Sequence, residues 1–218
     1  MRIFPLLTGF FFLTAGLFAQ QVDPGLNRLI ERLDSVTRFE ARIQMEVDIS
    51  FVTMPAKVAY VVYEKGGAVQ ITSEDFVMIP KRGLDLTLQE LFRYPFMTLN
   101  LGVVDLNGKK CEQIKVIPTT DDADYSIATL WLDPGAVQIL KSQISTKKNG
   151  VFDIRYGYAG PKELLPSEIR VELEVSGIKI PLRFLGKDAR IDRDKQKEQP
   201  QEKGAIIIEL SEYQITRL

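Results

Sequence analysis

Three aspartates near the middle of the chain, Asp121, Asp122 and Asp124, come nearest by type and spacing to a metal-binding motif. A calcium loop would place its carboxylates in the pattern Asp-x-Asp-x-Asp-Gly and close it with a later glutamate. This segment has neither the glycine nor the glutamate where that pattern requires them. Because aspartate also favours tight turns, we interpret the cluster as the polar tip of a hairpin and predict no metal site.

A second group of carboxylates, Glu40, Glu46 and Asp48, alternates with apolar residues along one segment. Two carboxylates on one face could act as the acid and base of a glycosidase. A solvated strand face explains the same alternation without chemistry, and we favour that interpretation. The single cysteine, Cys111, also falls in a strand-like segment, where a buried and unreactive thiol is the expected state.

Histidine is absent from all 218 residues, and this absence removes whole classes of chemistry. Ser-His-Asp catalysis, Cys-His catalysis and every histidine-containing metal site are excluded. The sequence has no glycine-rich phosphate loop, and its formal net charge of −1 gives no sign of nucleic-acid binding. We therefore predict a protein that has no cofactor and does not bind nucleic acid, while an enzyme built on carboxylates alone remains an alternative.

The first 19 residues have the pattern of a cleavable signal peptide. Arg2 supplies the positive start, an apolar run continues to Phe18, and Ala19 is a small residue just before the predicted cut. The run is shorter than the roughly 20 residues that a membrane-spanning helix needs. Gln20 follows the cut where a lipoprotein would have cysteine. We expect residues 20–218 to be exported as one soluble domain.

The apolar pattern predicts a helix at the start of the mature domain and a long strand after it. From Pro24 to Val36 the apolar residues recur at helical spacing, and Asp23 is a natural N-cap. From Phe39 to Phe51 apolar and polar residues alternate at every position. Such alternation indicates a strand of an antiparallel sheet that has one apolar and one solvated face.

The rest of the chain predicts more strands, for a total of about ten, and therefore a mainly β protein. Asn107-Gly108 and Asn149-Gly150 are strong hairpin signals. The irregular stretch from Leu84 to Phe96 is expected to form a short helix or lid. Residues 186–204 are almost entirely polar, and we expect a solvated loop there. Besides the long strand, the predicted strands are 57–63, 102–106, 110–117, 128–132, 137–145, 151–158, 169–175, 178–184 and 205–215, and the segments 69–72 and 76–79 are short candidates.

Several segments of the chain have one apolar face, and these faces can be interpreted in two ways. The long strand, the front helix and two later alternating segments could simply pack into an ordinary core. Alternatively, a large sheet could curl around a cavity that a single helix cannot fill, and such sheets do hold ligands. Periodicity alone does not distinguish these two arrangements.

Several short motifs point to one of them. The segment from Leu106 to Ile114 contains Asn-Gly and a following cysteine, the segment Ala128-Thr129-Leu130-Trp131-Leu132-Asp133 follows it, and Asn149-Gly150 comes next. This order, behind a signal peptide, a helix and a long alternating strand, resembles the periplasmic outer-membrane lipoprotein carriers, the LolA-like sorting proteins. The resemblance implies a large curled antiparallel sheet, an open half-barrel, with an N-terminal helix and a short lid helix packed in its concave face.

The resemblance also implies a periplasmic, non-enzymatic carrier or sensor that holds lipid or lipoprotein acyl chains in an apolar cavity. Such a protein would serve the transport of lipids to the outer membrane of a Gram-negative bacterium, or the maintenance of that membrane. Envelope membrane proteins are further candidate partners. The alternative is a structural or interaction module of the cell envelope, which has a full, dry core and binds a protein through its sheet. The residues predicted to line the cavity are Phe39, Ile43, Met45, Val47, Leu91, Phe92, Val171, Leu173, Ile180 and Leu182.

Overall fold

A computed structural model of the chain describes residues 22–67, 69–73, 91–148, 150–174, 188–198 and 203–218. The predicted signal peptide, residues 1–19, lies outside the described residues, as do the predicted strands 76–79 and 178–184. Within the described part of the chain, no helix is long and apolar enough to cross a membrane.

Helix α1 spans Pro24–Asp34 and begins where the sequence predicts. The Asp23 carboxylate accepts hydrogen bonds from the backbone N–H groups of Gly25 and Leu26, at 2.9 and 3.0 Å. These contacts satisfy two donors that the first helical turn leaves without partners, and Pro24 at the first helical position needs none. The helix ends two residues earlier than predicted, because Val36 already begins the first strand.

Twelve strands and one further helix with both ends described follow in the described residues, and Leu91 and Phe92 are also helical. The strands are β1 Val36–Asp48, β2 Val52–Thr53, β3 Lys57–Glu64, β4 Gln70–Thr72, β5 Phe96–Leu106, β6 Lys109–Pro118, β7 Tyr125–Asp133, β8 Gln138–Thr146, β9 Val151–Gly157, β10 Glu168–Glu174, β11 Arg190–Ile191 and β12 Lys203–Arg217. Helix α2 is Arg193–Glu198. The turn between β5 and β6 has positive φ at Asn107 (55°) and Gly108 (85°), which two-residue hairpins require.

Ten of these strands form one antiparallel sheet in the order β4-β3-β1-β12-β10-β9-β8-β7-β6-β5. Strands β5 to β10 are a meander, whereas the C-terminal strand β12 lies between β10 and β1 and so joins the two ends of the chain. Strands β4 and β5 are the two edges and do not pair with each other, so the sheet remains open. The predicted class, a mainly β open half-barrel with few helices, is confirmed.

The polar segment 186–204 carries more structure than the expected loop. Strand β11 pairs with β2, and the Asp192 N–H donates to the Phe51 carbonyl at 2.8 Å. Ala189 and Ile191 pack against the core. Two apolar residues and a few backbone hydrogen bonds therefore attach this segment to β2 and to the core. The polar composition of the segment as a whole did not predict these contacts.

Candidate functional site

The strand registers place the apolar residues of β1 on the same face of the sheet as those of its neighbours. Ile43 lies opposite Ala59 of β3 on one side and Leu210 of β12 on the other. Met45 lies opposite Lys57 and Ile208 in the same way. Because side chains alternate between the faces of a strand, these pairs build one continuous apolar surface, which we call the concave face.

One half of the concave face is closed by α1. Leu26 and Leu29 of the helix are 0% and 1% exposed and belong to the same buried cluster as Ile114, Leu130 and Ile144 of β6, β7 and β8. Ser142 and Tyr156 also face this interior, and their hydroxyl groups hydrogen-bond to each other at 3.1 Å. We call this group the helix-covered cluster. It is a close-packed protein core.

The other half of the concave face forms a separate buried cluster, which we call the β1–β3 cluster: Ala41, Ile43, Ala59, Val61 and Ile208. None of the apolar residues of α1 packs against it. The partly buried hydrophobic residues around it are Phe39, Met45, Ile71, Ile169, Ile206, Leu210 and Tyr213. Among the described residues, this half is therefore bordered by strand side chains and not by a helix.

The residues predicted to line a cavity divide between the two clusters. Ile43 and Met45 belong to the β1–β3 cluster, and Phe39 packs against both clusters. Val171 and Leu91 are buried members of the helix-covered cluster; Val47 and Phe92 pack against it. Leu173 lies in β10, and its side chain is outside the described set. Ile180 and Leu182 are outside the described residues.

Leu91 and Phe92 are helical, as expected for the end of a lid, but they are held firmly. The Tyr125 hydroxyl donates to the Leu91 carbonyl at 2.7 Å, and burial raises the pKa of Tyr125 to about 12. The Phe92 ring lies 5.7 Å from the ring of Phe96. These two residues thus belong to the half of the concave face that α1 covers. Of the predicted residues, Phe39, Ile43 and Met45 lie at the β1–β3 cluster.

Two aromatic residues that contact Phe39 were not among the predicted site residues: Tyr63, which packs against the helix-covered cluster, and Tyr213, which packs against the β1–β3 cluster. The Phe39 ring stacks on Tyr63, with centroids 5.3 Å apart, and lies 6.3 Å from the Tyr213 ring. Tyr63 follows from its position opposite Phe39 in the register. Tyr213 does not follow from alternation, because Glu212 has a φ of 55° in a bulge that inserts an extra residue into β12. The bulge reverses which residues face inward.

A charged residue lies on the same apolar face and was also missed. The Lys57 side chain is 2% exposed, and its Nζ atom lies 3.0 Å from Oδ2 of Asp188. In the sequence, Lys57 occupies an inward position of β3 together with Ala59 and Val61. Lysine in an otherwise apolar alternation was the signal that could have found it.

The opposite face of the sheet is polar. Asp48 and Arg170 form an ion pair at 3.4 Å there, and Arg170 also lies 3.7 Å from Glu172. A cavity of about 350 Å³ on this face is lined by Asp48, Ser50, Arg170, Glu172, Lys203, Gly204 and Ala205. Its lining differs in kind from that of the predicted apolar cavity, so the two are distinct places.

The residues examined first for chemistry occupy structural positions. Glu40 pairs with Arg38 on the solvated face of β1. Asp121 and Asp122 are exposed in the connection between β6 and β7, where the Asp121 carbonyl accepts a hydrogen bond from Lys147. Cys111 is buried, and burial, followed by the nearby Asp133 charge, raises the pKa of its thiol. A raised thiol pKa disfavours the reactive thiolate.

Comparison with solved structures identifies the fold. An outer membrane lipoprotein-sorting protein domain from Vibrio parahaemolyticus is similar to this chain with a TM-score of 0.50 and 10% identity, covering 88% of this chain and 91% of that one. A LolA superfamily protein from Nitrosomonas europaea has a TM-score of 0.48 and 11% identity, covering 88% of this chain and 94% of that one. No protein-family model and no curated protein sequence matches the chain.

The fold is an open half-barrel similar to that of the solved domain from Vibrio parahaemolyticus, and α1 covers one half of its concave face. At 10% identity the likeness is one of fold. The LolA-like resemblance inferred from the short hairpin and strand motifs is confirmed at that level.

Proposed function

We propose that this protein is a non-enzymatic carrier or sensor that binds acyl chains against the β1–β3 cluster. One observation carries the proposal: the apolar concave face continues past the half that α1 covers. There it is bordered by partly buried side chains such as Phe39, Met45 and Tyr213. An acyl chain laid along Ile43 and Met45 would extend the apolar packing that α1 provides on the other half.

The hydrophobic effect is large enough to drive such binding. Each methylene removed from water contributes roughly 0.8 kcal/mol, so a chain that buries about ten of them gains about 8 kcal/mol before the cost of ordering it. Methionine at the centre of the face suits this role, because its unbranched side chain adapts to ligands of different shape. No covalent chemistry is needed at this site.

The fold neighbour supports the cargo class and the compartment. The solved domain from Vibrio parahaemolyticus is described as an outer membrane lipoprotein-sorting protein domain, and lipoproteins carry acyl chains. The predicted signal peptide would deliver the mature chain to the periplasm. N-terminal sequencing of the exported protein should begin at Gln20; a product that retains Met1 in a membrane would contradict export by cleavage.

Substitution of Met45 by tryptophan tests the site. In a filled core the larger side chain would cost about 1–3 kcal/mol of unfolding free energy. Against a ligand-binding surface, the indole should occupy the place of the acyl chain, so the affinity for a fluorescent fatty acid falls while the apo stability changes little. The matched control is Glu46→Trp, the next residue on the solvated face of the same strand.

The two measurements separate the outcomes. Weaker binding of the fluorescent fatty acid in Met45→Trp, with binding retained in Glu46→Trp, supports the carrier. If the wild-type protein binds no fatty acid and Met45→Trp is clearly destabilised, the β1–β3 cluster is ordinary core and the carrier proposal fails.

A second candidate function has its own supporting observation. The edge strand β5 exposes Leu99, Leu101 and Val103, at 53%, 43% and 65%. An extended protein segment could pair with this edge and cover those side chains. In that case Leu99→Lys with Val103→Lys should abolish capture of the protein partner and leave fatty-acid binding unchanged, whereas Met45→Trp should have the reverse effect.

A further inference from the structure

Lys57 is a buried positive charge at the end of the β1–β3 cluster. It lies on the concave face of β3, directly opposite Met45, and Ala59 is the next residue of β3 on that face. Its side chain is 2% exposed, whereas lysine is almost never fully buried unless paired. A charge in this position requires an anion beside it.

The anion that the structure supplies is Asp188, and the two partners have very different surroundings. Nζ of Lys57 lies 3.0 Å from Oδ2 of Asp188, but the Asp188 side chain is 69% exposed. Asp188 therefore keeps most of its hydration, and returning it fully to water costs little. Another carboxylate or a phosphate could replace it without burying the ammonium any further.

The ammonium also has hydrogen-bonding capacity for a larger headgroup. A lysine ammonium donates up to three hydrogen bonds, and among the described residues its partner is Asp188. Ile43, Met45 and Ala59 form an apolar wall that leads away from this charge. A charged point at the end of an apolar strip matches the two parts of an amphiphile.

We propose that Lys57 binds the anionic headgroup, carboxylate or phosphate, of an amphiphile whose acyl chain lies along the β1–β3 cluster. In the absence of ligand Asp188 pairs with the Lys57 ammonium, and it competes with the headgroup for that ammonium. This inference rests on the proposed carrier function and adds a ligand class to it, because it selects anionic over neutral lipids of equal chain length.

The test is displacement of the neutral probe N-phenyl-1-naphthylamine from the mature protein by oleic acid, oleyl alcohol and dioleoyl phosphatidic acid. We expect both anionic lipids to displace the probe, and oleic acid to bind about tenfold or more tightly than oleyl alcohol, the value of a hydrogen bond to a charged group. In Lys57→Met, which keeps a long apolar stem, that ratio should fall to about twofold or less, since the charged contact is lost. Lys109→Met, at an exposed lysine, is the control and should keep the wild-type ratio.

Asp188→Asn provides a test that does not depend on removing the buried lysine. Loss of the competing carboxylate should raise the affinity for oleic acid and leave the affinity for oleyl alcohol unchanged. A purely structural ion pair predicts the opposite, namely a weaker site, and that result would overturn the proposal even if Lys57→Met failed to fold.

The outcomes separate the two proposals. Equal affinity of the wild-type protein for the acid and the alcohol would overturn the headgroup site and leave the acyl-chain carrier standing. Failure of all three lipids to displace the probe would overturn both. Displacement by millimolar inorganic phosphate alone would indicate a site for free anions and would overturn the assignment to amphiphiles.

Discussion

The two halves of the concave face are built from the same sheet and the same alternation, but they are closed by different neighbours. In the helix-covered cluster, Ile114 and Leu130 are completely buried beneath the leucines of α1. In the β1–β3 cluster, Ile43 is buried between Ala59 of β3 and Leu210 of β12, and none of the apolar residues of α1 packs against the cluster. Alternation produces an apolar wall, and whatever lies against that wall decides whether it serves as core or as binding surface.

The largest expected effect comes from a matched pair of isoleucines, Ile144 in the helix-covered cluster and Ile43 in the β1–β3 cluster. Ile144→Ala should lower the unfolding free energy by about 2–5 kcal/mol, because it leaves a cavity in close-packed core. The loss should be the same with and without oleic acid. Urea unfolding at several oleic acid concentrations measures the unfolding free energy without and with the lipid.

Ile43→Ala should behave differently in the same experiment. Its apo stability should fall less, and the stabilisation that oleic acid adds should shrink, because bound ligand stabilises a protein in proportion to its affinity. If both variants lose the same unfolding free energy, with and without oleic acid, then the two halves of the concave face do not differ in function.

Alkaline pH should weaken the helix-covered half. Burial raises the pKa of Tyr156 from 10 to about 12, while its hydrogen bond with Ser142 opposes this slightly. The folded state therefore holds the phenol proton where the unfolded state loses it. This contribution is complete below pH 10 and is lost as pH rises towards 12, at about 1.4 kcal/mol per pH unit for one tyrosine.

Tyr156→Phe isolates that contribution. At neutral pH the variant should lose about 1 kcal/mol, since the buried Ser142 hydroxyl loses its partner. Between pH 10 and 12 its stability should fall less steeply than that of the wild-type protein, as followed by thermal midpoints across the range. Parallel curves for the two proteins would show that Tyr156 titrates as it does in the unfolded chain.

A smaller effect is expected where α1 attaches to the edge of the sheet. Asp23 caps the helix, accepts a hydrogen bond from the Asn100 side chain at 2.8 Å, and donates its N–H to Thr98 at 2.9 Å. Asp23→Ala should cost about 1 kcal/mol, the usual value of an N-cap. Asn27→Ala, at an exposed position on the same helix, is the control. Fatty-acid binding should stay unchanged, and a large drop would mean that α1 also supports the β1–β3 cluster.

Features that depend on neighbouring residues could be predicted from the sequence. The N-cap at Asp23, the Asn107-Gly108 turn and the alternation of β1 are each set by local backbone preferences and side-chain spacing. Alternation also places Ile43 and Met45 on one apolar face, and Phe39 packs against both clusters. That these residues line a ligand cavity stays a prediction. Tyr213 was missed because the bulge at Glu212 changes the inward side within one strand.

The sequence by itself determined that this chain forms a mainly antiparallel sheet with one apolar face and a helix to cover it. Apolar residues recur every two residues in the strand segments and every 3.6 residues in the helical segment, and each pattern is visible within a short stretch of sequence. Only the tertiary structure decided that β12 joins β1 to β10 and that Asp188 meets the buried Lys57. It also decided that the apolar face divides into a half that α1 covers and a half that, among the described residues, strand side chains border. Those contacts connect residues far apart in the chain. Their choice depends on which surfaces meet in three dimensions, and no local pattern encodes it.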